Sequence, residues 1–202
     1  MSKDLAGSAL PARTPSGVLD FWKFELTRGI WCAAIGVVTV FWQRESTEAL
    51  KLQVPVGTVE YLIAVYLIVF GIVQFGLGRR ITGAMRLTVV VDAAVSIVLG
   101  AAAIACGVMG ADVDQFHWVV FAWALIHGGL DITFAVLMRR RLKGSQDWMV
   151  SGALHVALAV VLGIFVHMEA LTVMGLVGAV AVMSGVLFIL GAVTARRLAR
   201  KS

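Results

Sequence analysis

Six apolar stretches, separated alternately by acidic and basic loops, limit what this chain can fold into. They run about Phe24–Phe41, Thr58–Gly78, Leu87–Met109, Phe116–Met138, Trp148–Val166 and Ala170–Val193. At about 1.5 Å per residue each can cross a hydrocarbon core of about 30 Å, the first only just. In lipid a backbone must satisfy its own hydrogen bonds, so the stretches are expected to be helices. Mean hydropathy is +0.93, and only 14% of the 202 residues are charged, too few to cover a soluble globule.

The net charge of +5 raises nucleic acid as a partner, but the placement of the charges argues against it. Fifteen of the 17 Lys and Arg fall on one side of the six spans: in the N-terminal segment, in the second and fourth loops, and in the tail. Only Arg44 and Lys51 fall on the other, where Glu45, Glu48, Glu60, Asp112, Asp114 and Glu169 lie. The positive-inside rule then puts both termini in the cytoplasm of a plasma (inner) membrane protein. The basic rim reads as a topology signal and a contact for anionic lipid headgroups, not as a nucleic-acid site.

Residues 1–20 are polar and small, with no apolar region near the start, and read as a cytoplasmic arm rather than a signal peptide. Phe21, Trp22 and Phe24 among Asp20, Lys23 and Glu25 suit the membrane interface. Cys32 and Cys106 fall at different depths, so two buried thiols are expected and no disulfide.

The six spans form three hairpins of one kind, about 24–80, 87–140 and 148–196. Gly71, Gly128 and Gly185 recur 57 residues apart in the even helices. Gly36, Gly100 and Gly163 recur 64 and 63 apart in the odd ones. All three hairpins enter from the same side, which makes them parallel repeats. The glycines, Gly29 included, are expected to let helices approach closely.

Counting back eight residues from the odd-helix glycines gives Arg28, Asp92 and His155 at one equivalent position. Gln74, His127 and Asp131 gather in the same half of the bundle, while the outer half is nearly free of such groups.

The Arg28-Gly29-Ile30 triplet, Gly36 seven residues later, Phe41-Trp42 closing the helix, and the recurring even-helix glycine resemble the HdeD-like acid-resistance membrane proteins. The resemblance spans roughly Phe21 to Arg197. The family often has Pro after the Trp that ends an odd helix, where this chain has Gln43. It often has an acid before the even-helix glycine, where this chain has Phe70, His127 and Ser184. The resemblance implies an inner-membrane protein linked to acid or envelope stress, with no established enzyme activity.

Two readings of Arg28, Asp92 and Asp131 stand side by side. Ionisable groups in a span face the bundle interior and find partners, so they can form a polar clasp that fixes packing, with Arg28 snorkelling to the interface. With His127 and His155, residues of the type that can titrate near neutral pH, they can instead form a proton pathway. A bis-imidazole haem site pairing His127 with His155, and His117 with His167, is a formal third layout. Phosphate loops and HExxH, GxSxG and CxxC motifs are absent from the sequence, and no metal-ligand spacing occurs. Trp31, Trp42, Trp118, Trp123 and Trp148 read as interface or packing aromatics, and Glu45, Glu48 and Glu60 as a solvated acidic face.

The expectation is therefore an all-α polytopic membrane protein: an arm over 1–20, a six-helix domain over 21–197 and a basic tail over 198–202. It is expected to be non-enzymatic, without cofactor or metal, in contact with the bilayer and with room for a homo-oligomeric or membrane-complex partner. The alternatives are a small proton-coupled or ion-conducting protein and an accessory or haem-binding subunit.

Overall fold

The computed structural model describes residues 21–48, 56–79, 83–110, 113–139 and 145–199. They form α1 (Phe21–Glu48), α2 (Val56–Gly78), α3 (Ala84–Met109), α4 (Val113–Met138), α5 (Ser145–Ile164) and α6 (Ala170–Ala199). All six are long and apolar enough to cross a bilayer. The chain is a multi-pass, all-helical membrane protein. The arm at 1–20 and the loops carrying Lys51, Asp112, Arg140, Arg141 and Lys143 lie outside the described residues.

Local chemistry sets the helix ends. α1 continues past the expected stop at Phe41 to Glu48, because Gln43, Arg44 and Glu45 favour helix and the next proline along the chain is Pro55. α3 ends on Gly110, which takes the left-handed conformation at φ 63° and donates its N–H to the Cys106 carbonyl. Asp147 in the first turn of α5 suits the positive end of the helix dipole.

The closest helix pairs join neighbouring hairpins: α2 with α3, α4 with α5, and α6 with α1, which closes the ring. Three like pairs around one axis are what parallel repeats produce. A side chain at Gly71 would meet the Ala93 carbonyl oxygen at 2.7 Å and the Ile97 nitrogen at 3.2 Å. One at Gly185 would meet the Gly29 carbonyl at 2.8 Å and the Ala33 nitrogen at 2.5 Å. Residues 29 and 93 thus correspond, as do Gly36 and Gly100.

The third repeat departs from the glycine count. A side chain at Gly128 would meet the Gly152 carbonyl at 2.7 Å, and one at Gly152 would meet the Gly128 carbonyl at 2.6 Å. Gly152 therefore takes the place of Gly29, and α5 is displaced four residues, about 6 Å, from the alignment that Gly163 implies. Gly163 is exposed and approaches only the Phe121 ring, so it is not a close-packing glycine of this pair. α5, at 20 residues, is the shortest span, and it settles where two glycines let the backbones meet. With that shift, Arg28, Asp92 and Ser151 are equivalent, as are Cys32, Ser96 and His155. His155 lies one turn further from the α1 N-terminus than the count placed it.

The main apolar core runs through Ile63, Leu67, Phe70, Trp123, Leu162 and Met174. A second cluster of Phe21, Phe24, Phe134, Trp148 and Phe188 packs at the end of the bundle where α1 begins. Trp123 and Trp148 are core residues, whereas Trp118 is 45% exposed. Cys32 and Cys106 are buried and unpaired with each other.

Candidate functional site

Between the two apolar clusters lies a connected polar network. Arg28, on α1, is 1% exposed and turned inward instead of snorkelling. Its Nη2 donates to Asp131 Oδ1 at 2.9 Å and Oδ2 at 2.7 Å. The same Nη2 lies 3.2 Å from His127 Nε2. On the far side of that ring, His127 Nδ1 is 2.6 Å from Asp92 Oδ1. Gln74 Nε2 donates to the other Asp92 oxygen, and Ser151 Oγ donates to Asp131 Oδ2 at 3.0 Å.

Partner chemistry fixes the His127 tautomer. A carboxylate only accepts, so Nδ1 carries the proton toward Asp92. A guanidinium only donates, so Nε2 presents its lone pair to Arg28. Arg28, His127 and the carboxylates of Asp131 and Asp92 thus adjoin one another in low dielectric, where a change of charge at one is felt by the others.

Aromatic faces hold the guanidinium from the other sides. Its Cζ lies 4.2 Å from the Trp148 ring centre and 4.4 Å from that of Phe188. Arg28 Nε and Nη1 have no hydrogen-bond partner among the described residues, consistent with this sandwich. His155 completes the site: its Nδ1 donates to the Ser151 carbonyl at 2.8 Å, and its ring meets His127 edge to face at 4.5 Å.

The network repeats around the axis. Gln74 meets Asp92 across α2 and α3, Asp131 meets Ser151 across α4 and α5, and Phe188 meets Arg28 across α6 and α1. Gln74, Asp131 and Phe188 each stand three residues after the recurring glycine. One geometry has thus been filled with three chemistries.

Arg28, Gln74, Asp92, His127, Asp131 and His155 all sit in or against this network. Arg28 pairs with Asp131, while Asp92 serves His127. Sequence reading missed Ser151, Glu25 and the caging role of Trp148. Glu25 is buried and accepts from Trp148 Nε1 at 3.1 Å. Its place one turn before Arg28 was the available signal.

The histidines do not form a haem site. His127 and His155 touch edge to face, leaving no room for a macrocycle between them, and His127 stacks on Trp123 at 5.1 Å. His117 is buried against the Leu162 carbonyl at 2.7 Å, whereas His167 is exposed near Asp114. The outer half is less apolar than expected, because Glu60 is only 2% exposed on α2, beside Gly107, and is not part of a solvated loop. Side chains of Trp42, Glu45 and Glu48 lie outside the described residues.

No family model, curated protein or solved structure matches this chain.

Proposed function

We propose that this chain is a non-enzymatic protein of the plasma (inner) membrane that supports acid or envelope stress tolerance through a proton-responsive core. The observation that supports it most is the network of Arg28, Asp131, His127 and Asp92, which is buried and continuous. A proton taken up by the Asp92–His127 pair adds a positive charge at its centre. It also puts a second N–H on His127, facing Arg28 Nη2, and so loosens the contact between α1 and α4. Proton binding is thereby coupled to helix packing. The HdeD-like features at Arg28, Gly29 and Gly36 agree with this role.

The basic side of the bundle is taken as cytoplasmic. Arg79 and Arg86 flank a shallow groove with Phe75, Leu87 and Val90 there, an arrangement suited to an anionic headgroup and its first methylenes. The test is acid survival of a deletion strain carrying wild type, Asp92→Asn or empty vector. Rescue by wild type and not by the folded Asp92→Asn protein supports the reading. Equal rescue by both removes the network from the phenotype.

A second reading, proton conduction, is favoured by the adjoining side chains of Asp92, His127 and Asp131, with His127 Nδ1 2.6 Å from Asp92 and Nε2 3.8 Å from Asp131. Proton flux in liposomes separates it from the first.

A further inference from the structure

The two imidazoles and one carboxylate at the centre of the network have an arrangement that proton chemistry does not require. His127, Asp131 and His155 each present a ligand atom within 4.8 Å of the others, and all three are buried. Both rings are oriented from behind. His127 gives its Nδ1–H to the Asp92 carboxylate at 2.6 Å, and His155 gives its own to the Ser151 carbonyl at 2.8 Å. A carboxylate or backbone carbonyl on the far nitrogen is the outer-shell pattern of metal-binding histidines, because it fixes the tautomer and leaves Nε2 free to ligate. Asp131 is held in turn by Ser151 at 3.0 Å.

A cationic atom already stands at this place. Arg28 Nη2 lies 2.7 and 2.9 Å from the Asp131 oxygens and 3.2 Å from His127 Nε2. A divalent ion at this place would meet Asp131 directly and Asp92 through the His127 ring. The displaced guanidinium has a destination one turn back on α1, where Glu25 is buried beside Trp148. Helical side chains lean toward the N-terminus, so that swing follows their natural direction.

We infer that His127, Asp131 and His155 form a binding site for a divalent transition metal of the zinc class, for which the Arg28 side chain is a tethered, displaceable stand-in. Two nitrogens and one oxygen suit Zn²⁺ or Co²⁺, with a fourth position open to water or a small ligand. Tetrahedral coordination needs ligand atoms about 3.4 Å apart, so the site closes by roughly 1 Å on the metal. The inference uses the same side chains as the proposed function but not their proton chemistry, and neither depends on the other.

The experiment uses the tag-free full chain in nanodiscs, with zinc content measured after equilibrium dialysis and Co²⁺ absorption in the visible region. Wild type is expected to bind one ion per chain and to show the bands of tetrahedral Co²⁺. His155→Gln should abolish both, and a single folded peak for the metal-free variant in size-exclusion chromatography separates lost ligation from lost fold. Asp92→Asn should weaken binding by about 10–100-fold, through the ring it orients. Arg28→Met should tighten binding by about tenfold or more by removing the competing cation. If Arg28→Met does not fold without metal, zinc should restore its folded yield. His167→Gln, beside exposed Asp114, should change nothing. A wild type with no stoichiometric zinc, equal zinc in His155→Gln, or loss of zinc in His167→Gln overturns the inference.

Discussion

Arg28 donates through one nitrogen to both carboxylate oxygens of Asp131, at 2.9 and 2.7 Å, across 103 positions of chain. The contact ties the first helix to the fourth in the interior of the bundle, where neither charge reaches water. Two distant segments are thereby fixed in depth and rotation. A charge in this position is tolerated because it is paired, hydrogen-bonded and caged by Trp148 and Phe188.

Removing one partner should be severe. Asp131→Ala removes the one carboxylate that Arg28 hydrogen-bonds and should destabilise by about 3–5 kcal/mol. Asp131→Asn keeps one acceptor and should cost less. Glu169→Ala, on the exposed turn before α6, should fall within about 0.5 kcal/mol of wild type. Thermal unfolding in one detergent ranks the three. Equal melting of Asp131→Ala and Glu169→Ala would contradict the pairing.

The register of α5 predicts a contrast between glycines. Gly152→Leu drives a side chain into the Gly128 carbonyl, which lies 2.6 Å from the position of the first added atom. It should separate α4 from α5 and cost several times more than Gly163→Ala. The latter meets only the Phe121 ring and removes a flexible glycine from a helix, effects of about 1 kcal/mol that oppose each other. Melting of the two variants decides it. If Gly163→Ala proved the more damaging, the alignment from sequence spacing would be right and the four-residue shift wrong.

The fold was legible because the bilayer leaves few options. Apolar stretches of spanning length must be helices, and recurring Gly71, Gly128 and Gly185 mark where they meet. The polar residues were legible too, since Arg28, Asp92 and Asp131 have no place in a span without partners. What the sequence did not carry was register. Gly163 and Gly152 are both glycines on α5, and only the approach of Gly128 selects between them. Spacing alone left both Asp92 and Asp131 open as partners of Arg28, and the structure selects Asp131. Glu60 misled because an acid near a span end reads as solvated, whereas α2 packs it beside Gly107 of α3. Ser151 gave no signal, since a serine in a membrane helix is ordinary.

The orientation we propose, with both termini cytoplasmic, rests on the fifteen basic residues on one side against two on the other. A reporter fused after Ser202 should be active only in its cytoplasmic form, and one inserted in the turn at His167 only in its external form. The reverse pattern would invert the assignment of the basic groove at Arg79 and Arg86 to the cytoplasmic face.

The last prediction separates packing from proton movement at Asp92. Asp92→Asn keeps an oxygen able to accept from His127 Nδ1 and removes the charge. If Asp92 only orients the ring, the variant should fold, melt within about 1 kcal/mol of wild type and behave like it in every flux assay. If Asp92 exchanges protons with His127, the same folded variant should lose the proton flux that wild type shows in liposomes under an inward acid gradient. His127→Gln should match it, since glutamine cannot take up a proton there. Wild-type liposomes that hold the gradient as long as empty ones would end the conduction reading. They would leave proton binding coupled to helix packing to stand or fall on the acid-survival comparison.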